Sequence, residues 1–387
     1  MTPRLPYRPA TAVAVAGLLA TACGGGDSRP SSAAEKPHGY VAGAEEASEA
    51  QWRLVLAGDD RVRLLDPATE KVTDVAAAPG VTGVRSDGRF AYLTTSAGMR
   101  TVDSGVWTVD HGDHVHYYKA AVRDVGTVPG TPGAITGDQA VTAVSGGPAV
   151  RVLDRKALEG GKIPAARGIP GRAAVAYAEH LVIAADDGTV RVHDRQGAET
   201  ARLTEPCPQA RGQAVTKRGA VLGCADGALL VTGKDGRLTG TKIAYPGRVR
   251  AAERATEFHH RPGTPVLAAK AGDRGLWILN LAAKSWNRAG SAPLTAVSGT
   301  GEDAPVLALD TGGTLRSYDP KTGKQGDKTN ILKKPNAASV IQVDTARAYV
   351  NDPAGRRVVE IDYRDGLRVA RTFDLAFSPQ HMVETGW

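Results

Sequence analysis

The chain has 387 residues, a net charge of +7 with neutral histidines, 46 glycines and 23 prolines, and only 5% of it is aromatic. A hydrophobic share of 42% can build a core, and so much glycine and proline suits short strands and tight turns better than long helices. Lysines and arginines are scattered, with no basic block and no stripe interleaved with aromatics, which excludes the usual nucleic-acid surface.

Residues 1–23 read as an export signal. Arg4 and Arg8 form a positive start, and "ATAVAVAGLLATA" (10–22) is an apolar run too short for a membrane span. The run ends at "LLATAC", which resembles a bacterial lipoprotein signal with Cys23 as the lipidated first residue; ordinary cleavage after Ala22 is the alternative. The expected location is the cell surface or periplasm, with a lipid on Cys23 as the sole membrane contact. Residues 24–50, rich in Gly, Ser, Ala and Glu, read as a flexible tether, with a short helix expected near "GAEEASEA".

From residue 51 to 387 the texture repeats. An apolar strand, a turn with Asp and Gly, a second strand and a polar third strand recur in "RLVLAGDDRVRLLDPATEKVTDV" (53–75) and "HLVIAADDGTVRVHDRQGAETARL" (180–203). They recur again in "GAVLGCADGALLVTGKDGRL" (219–238) and "APVLALDTGGTLRSYDPKTGKQ" (304–325). The second strands read "RLVLAG", "FAYLTT", "AVTAVS", "HLVIAA", "AVLGCA", "PVLAAK", "PVLALD" and "RAYVND". Eight four-stranded units, spaced by about 40 residues, predict an all-β chain and a β-propeller, with seven blades as the fallback. The first unit lacks an inner strand, and the C-terminal "SPQHMVETGW" supplies one, so the last segment is expected to close the ring.

The second unit is stretched by "VWTVDHGDHVHYYKA" (106–120). It gathers His111, Asp113, His114 and His116 in six positions of a chain with nine histidines. Gly112–Asp113 reads as a hairpin tip, and residues two apart on a strand share a face, so His114 and His116 point the same way. Three neutral imidazoles can converge on one cation, and zinc takes about four such ligands. Asp113 serves either as a ligand or as the carboxylate that holds an imidazole in its tautomer, while Tyr117 and Tyr118 pack the rim. A solvated turn without metal is the plain alternative. A second concentration, "EFHHRPGTP", places His259 and His260 at the end of the sixth unit's inner strand, near one mouth of the channel. His38 and His381 are further candidate ligands; His180 and His193 lie within blade strands and read as structural. Cys207 and Cys224, 17 apart in an exported chain, read as one disulfide.

The segments "KPHGYVAGAEEASEAQ", "GVWTVDHGDHVHYY", "CPQARGQAVTKRGAVLGCADGALLV" and "HMVETGW" together resemble the AztD family of exported zinc metallochaperones. The resemblance implies a β-propeller that binds Zn2+ outside the cytoplasm and passes it to the solute-binding protein of a zinc ABC importer. It carries the metal role onto His111, Asp113, His114 and His116, and onto His259 and His260. One departure is "QARG", with Arg211 where the family often has a histidine after the first cysteine. His-rich metal-collecting tracts near the N-terminus are also missing.

The expected activity is binding and transfer, not catalysis, by a monomer. Zinc leaves by ligand exchange with a partner, and its affinity falls below pH of about 6.5, where histidines protonate. Two rival readings stand beside it: a zinc hydrolase or lactonase, with Asp113 as base, and a metal-free protein-binding propeller. HExxH, GxSxG and a Gly-rich phosphate loop are all absent from the sequence.

Overall fold

The structure is a computed structural model that describes residues 38–387. The expected signal and the first part of the tether lie outside the described residues. A short unit ends at Tyr40, and a body runs over Val41–Trp387.

The eight apolar runs picked out in the sequence become strands in eight different sheets of the body. Seven of these sheets have four strands, and the sixth has three. All pairings within them are antiparallel, as hairpin connections require. The turn chemistry follows the sequence. Asp59 and Asp60 have φ of 51° and 55°, and Asp235 and Gly236 have φ of 50° and 73°. Both are two-residue links whose left-handed backbone matches the twist of the strands they join.

The C-terminal strand His381–Thr385 pairs with Arg53–Gly58, the register running from Ala57 opposite His381 to Arg53 opposite Thr385. It thus supplies the strand that the first sheet lacks in sequence order. Apolar clusters lie between consecutive sheets. Val55, Leu64, Ala91 and Leu93 join the first to the second, and Val221, Leu230, Leu267 and Trp277 join the fifth to the sixth. Leu54, Leu56, Tyr349, Phe373 and Met382 join the last sheet to the first. Four-stranded sheets packed face to face in this manner are consistent with a propeller.

Two segments differ from expectation. The acidic stretch after the tether forms a strand, Ala44–Ala47, rather than a helix. A turn at Gly43, with Ala44 N–H donating to the Val41 carbonyl, sets four residues along the open edge of Val115–Ala120. Four residues cannot repay helix nucleation, whereas the edge supplies backbone partners at once. The inner strand expected at the sixth unit is a single bridge between His259 and Ala268. Beyond it the backbone turns to the next sheet: Gly299 N–H donates to the His259 carbonyl and Arg261 N–H to the Gly299 carbonyl.

Cys207 and Cys224 form a disulfide, which fits a chain exported to an oxidising compartment. Among the described residues no helix is long and apolar enough to cross a membrane.

The closing strand also buries a carboxyl. Glu384 is 2% exposed, and its Oε1 has no hydrogen-bond partner. Burial, and then the nearby Asp344 carboxylate, push its pKa well above the ordinary range. The folded chain therefore binds this proton more tightly than the unfolded one. Its contribution is full below the ordinary carboxyl value of about 4.3 and is lost as pH rises toward the folded value. Glu384→Gln keeps the shape and removes the titration. The variant should be more stable than the parent at pH of about 8, by about 1–3 kcal/mol, with a smaller gain near pH 5. Denaturant melts at the two pH values measure this; equal differences at both would refute it.

Candidate metal centre

The histidines sit on a ribbon inserted between Gly98–Asp103 and Arg123–Val128, the neighbouring strands of the second sheet. The ribbon comprises Val106–Asp110 and Val115–Ala120, with Ala44–Ala47 added to its edge as a third strand. Its base is fixed by a buried ion pair. Arg89 donates from Nε and Nη2 to the two oxygens of Asp103, at 3.0 and 2.9 Å, and Arg123 reaches the same carboxylate at 3.0 Å. The Arg89 guanidinium lies 3.7 Å over the Trp107 ring. Trp107 stacks on Tyr118 at 5.1 Å, and Tyr118 on His116 at 6.0 Å. A continuous stack thus runs from the sheet core to the first imidazole. Thr108 Oγ1 donates to the Gly386 carbonyl at 2.6 Å, which ties the ribbon to the C-terminus.

At the tip, Gly112 takes φ of 92° and its N–H donates to Asp110 Oδ1 at 2.8 Å. His111 N–H donates to the His114 carbonyl at 3.0 Å. This turn brings three imidazoles together. His111 stacks on His114 at 4.8 Å between centroids, and His116 stands edge-on to both, at 5.2 and 4.8 Å. One ring nitrogen from each lies within 4.8 Å of the others. Three sp² nitrogens at such spacing can hold one metal ion. Among the described residues no second such cluster of His, Cys, Asp or Glu side chains is found.

Two carboxylates orient the rings. His114 Nδ1 meets Asp113 Oδ1 at 2.7 Å, and His116 Nδ1 meets Glu46 Oε1 at 2.6 Å. A carboxylate at Nδ1 keeps the proton there and directs the Nε2 lone pair outward, the arrangement usual around metal-ligating histidines. Asp113 is thereby an orienting group in this geometry. The His114 hydrogen bond, with backbone donors behind it, holds its carboxyl below the ordinary range. Asp110, at the ribbon's end, pairs with Lys217 at 2.8 Å, and that lysine lowers its pKa. Lys217 follows Gln213–Thr216, the first strand of the fifth sheet, so the tip is pinned to that sheet as well.

His259 and His260 stand apart from the three-imidazole cluster. They line a cavity of about 1410 Å³ whose wall also includes Asp110 and His111. His259 Nε2 lies 3.7 Å from Glu257 Oε2, and Glu257 pairs with Arg85 at 2.8 Å. His259 first and Arg85 after it hold the Glu257 carboxyl down to about 2. His260 Nε2 donates to the Val215 carbonyl at 3.1 Å, and burial lowers its pKa to about 4, so this imidazole is neutral near pH 7. His381 Nε2 donates to the Val81 carbonyl. His180 and His193 are bonded through Nδ1 to the Ala178 and Gly197 carbonyls. His38 belongs to the short unit that ends at Tyr40.

Sequence reasoning missed Glu46 and Lys217. Glu46 is 70 positions from His116, and its only local sign is an acidic pair beside alanines. Lys217 is one scattered lysine among many.

No family model matches the chain, and no curated protein sequence matches it. Solved structures do. NirN, a dihydro-heme d1 dehydrogenase in complex with DHE, has a TM-score of 0.54 at 14% identity, over 87% of this chain and 75% of that one. AztD from Citrobacter koseri is more similar. Its apo structure and a second crystal structure each give a TM-score of 0.69 at 17% identity. Both alignments cover 87% of this chain and 98% of that one, so the likeness in fold to AztD spans nearly the whole of that protein.

Proposed function

We propose that the protein is an exported zinc metallochaperone of the AztD type, which binds Zn2+ on the ribbon and hands it to the solute-binding protein of a zinc ABC importer. The observation that carries this reading is the convergence of His111, His114 and His116, two of them held at Nδ1 by carboxylates. Neutral imidazoles suit zinc, and the AztD-like fold and the sequence resemblance point to the same cargo. In this reading the fold is a closed eight-bladed propeller. Eight sheets in chain order, and a cluster that joins the last to the first, support that count.

Three imidazoles leave one of zinc's four positions. That position is open to water or to the partner's incoming side chain. His259 and His260 serve as a later station inside the cavity rather than as ligands beside the ribbon's three imidazoles. Export through the 1–23 signal, with lipidation at Cys23 as the anchor, places the chain beside a transporter. The chemistry is ligand exchange: an incoming side chain of the partner replaces one imidazole before the ion is released, and no bond of a substrate is broken.

The test is titration of metal-free protein with Zn2+ against a competing chelator. The parent should bind one ion, and the double variant His114→Ala/His116→Ala should lose at least about 100-fold in affinity. Loaded parent mixed with the solute-binding protein should transfer zinc faster than a chelator of equal affinity draws it off. Unchanged affinity in the double variant would refute the site, and transfer no faster than free release would refute the hand-off.

Glu46→Gln isolates the orienting bond. It should weaken zinc by about 10–100-fold, since an outer carboxylate raises the basicity of the ligand behind it. The melting temperature of the metal-free protein should barely move, because Glu46 is exposed at an edge strand. A loss of stability without a loss of affinity would assign Glu46 a purely structural part.

A further inference from the structure

The loop closed by the disulfide borders a second cavity, of about 420 Å³, lined by Arg172, Gln209, Arg211, Arg254 and Asp186 among others. Three guanidiniums face one carboxylate there. Arg172 is matched by Asp186, at 2.5 Å. Arg254 donates from Nη1 to the neutral amide oxygen of Gln209 at 2.6 Å, and its buried Nε has no hydrogen-bond partner. Among the described residues no carboxylate pairs with Arg211 or Arg254, although most arginines nearby have one.

The three arginines lie on the segments that lead into three successive sheets. Arg172 directly precedes Ala173–Tyr177, Arg211 stands two residues before Gln213–Thr216, and Arg254 stands four residues before Phe258. The Arg211 backbone is fixed in advance. Its N–H donates to the Gly223 carbonyl and Gly223 N–H donates to the Gly212 carbonyl, both at 2.9 Å. Gly212 has φ of 87°, and a Cβ there would meet the Thr256 carbonyl group at 2.9 Å. The disulfide locks the same loop to Cys224. Charge in excess, forked donors and a rigid frame are what multivalent oxyanions require, because a guanidinium pairs two N–H groups with two oxygens of a carboxylate or phosphate.

We infer that this cavity, formed by Arg172, Arg211 and Arg254 beside the disulfide loop, binds a small polyvalent oxyanion of the phosphate or polycarboxylate kind. Arg172 and Arg211 also border the larger cavity, but the arginines are set back from the imidazole cluster. Arg211 precedes the strand Gln213–Thr216, whereas Lys217, which holds Asp110 of the ribbon, follows it. A four-residue strand separates them by about 13 Å.

Calorimetric titration of the zinc-free protein with inorganic phosphate, and separately with citrate, tests this. At least one probe should bind with a dissociation constant between about 10 μM and 1 mM. Arg211→Gln/Arg254→Gln should weaken it by about tenfold or more. Arg211→Gln alone, an exposed position, provides the reading if the double variant does not fold. His114→Ala/His116→Ala should leave anion binding unchanged, which separates failure here from failure of the zinc reading. Phosphate and citrate arms distinguish the two kinds of anion. No binding of either at about 10 mM, or binding unchanged when the arginines are replaced, would overturn the inference.

Discussion

A sheet with two apolar faces must have both covered, and this requirement governs the body. Each of the sheets carries alternating buried residues that a single layer cannot hide. Val182, Ala184 and Val190 of the fourth sheet are covered by Leu222 and Leu229 of the fifth, and Leu307 and Leu309 of the seventh by Val350 and Ile361 of the eighth. The row of sheets would end in bare faces were it not for the cluster that joins Leu54 and Leu56 to Tyr349 and Phe373. His381–Thr385, paired to the first sheet from the far end of the sequence, adds Met382 to that cluster. The chain thereby buries a carboxyl, Glu384, as the cost of completing its own edge.

Such a body gives the ribbon its stiffness. A two-stranded hairpin in water is marginal by itself. Here it is held at three places by different forces: the Arg89–Asp103 pair under Trp107, the Thr108 bond to the C-terminal backbone, and the Lys217–Asp110 pair near the tip. Ala44–Ala47 adds a third strand and brings Glu46 to His116. Imidazoles on this support lose little further freedom when they meet an ion, and preorganisation of that kind is what raises affinity for a small cation.

What was legible in the sequence had a local cause. The repeats could be read because strand alternation and Asp-Gly turns are written within about a dozen residues. The histidine cluster could be read because a tight turn brings near neighbours together, and the pairing of the cysteines because Cys207 and Cys224 are the two that lie within the repeating part of the chain. Glu46 had no such sign: its role depends on a strand joining the ribbon from 70 positions away. His259 illustrates a different limit. Its place beside the cavity was foreseeable from the unit, but its backbone pairs with Ala268 by a single bridge and then serves Gly299 of the next sheet. That choice belongs to tertiary packing, which the local pattern does not encode. The arginine cavity was hidden for the same reason, since its three residues come from three units about 40 positions apart.

The candidate metal centre has a gradient of exposure, and its direction bears on how an ion would leave. His116 is 7% exposed, backed by Tyr118 and held by Glu46. The His114 side chain is 43% exposed and is held by Asp113, which is itself 83% exposed. A partner's side chain approaching from solvent therefore meets His114 before His116. Water competes for the Asp113–His114 bond far more than for the one beneath, because a hydrogen bond in high dielectric is easily exchanged. Under the proposed zinc reading, exchange begins at His114 while His116 keeps its hold. The same cluster then combines retention at His116 with release at His114, with no need for the body to move.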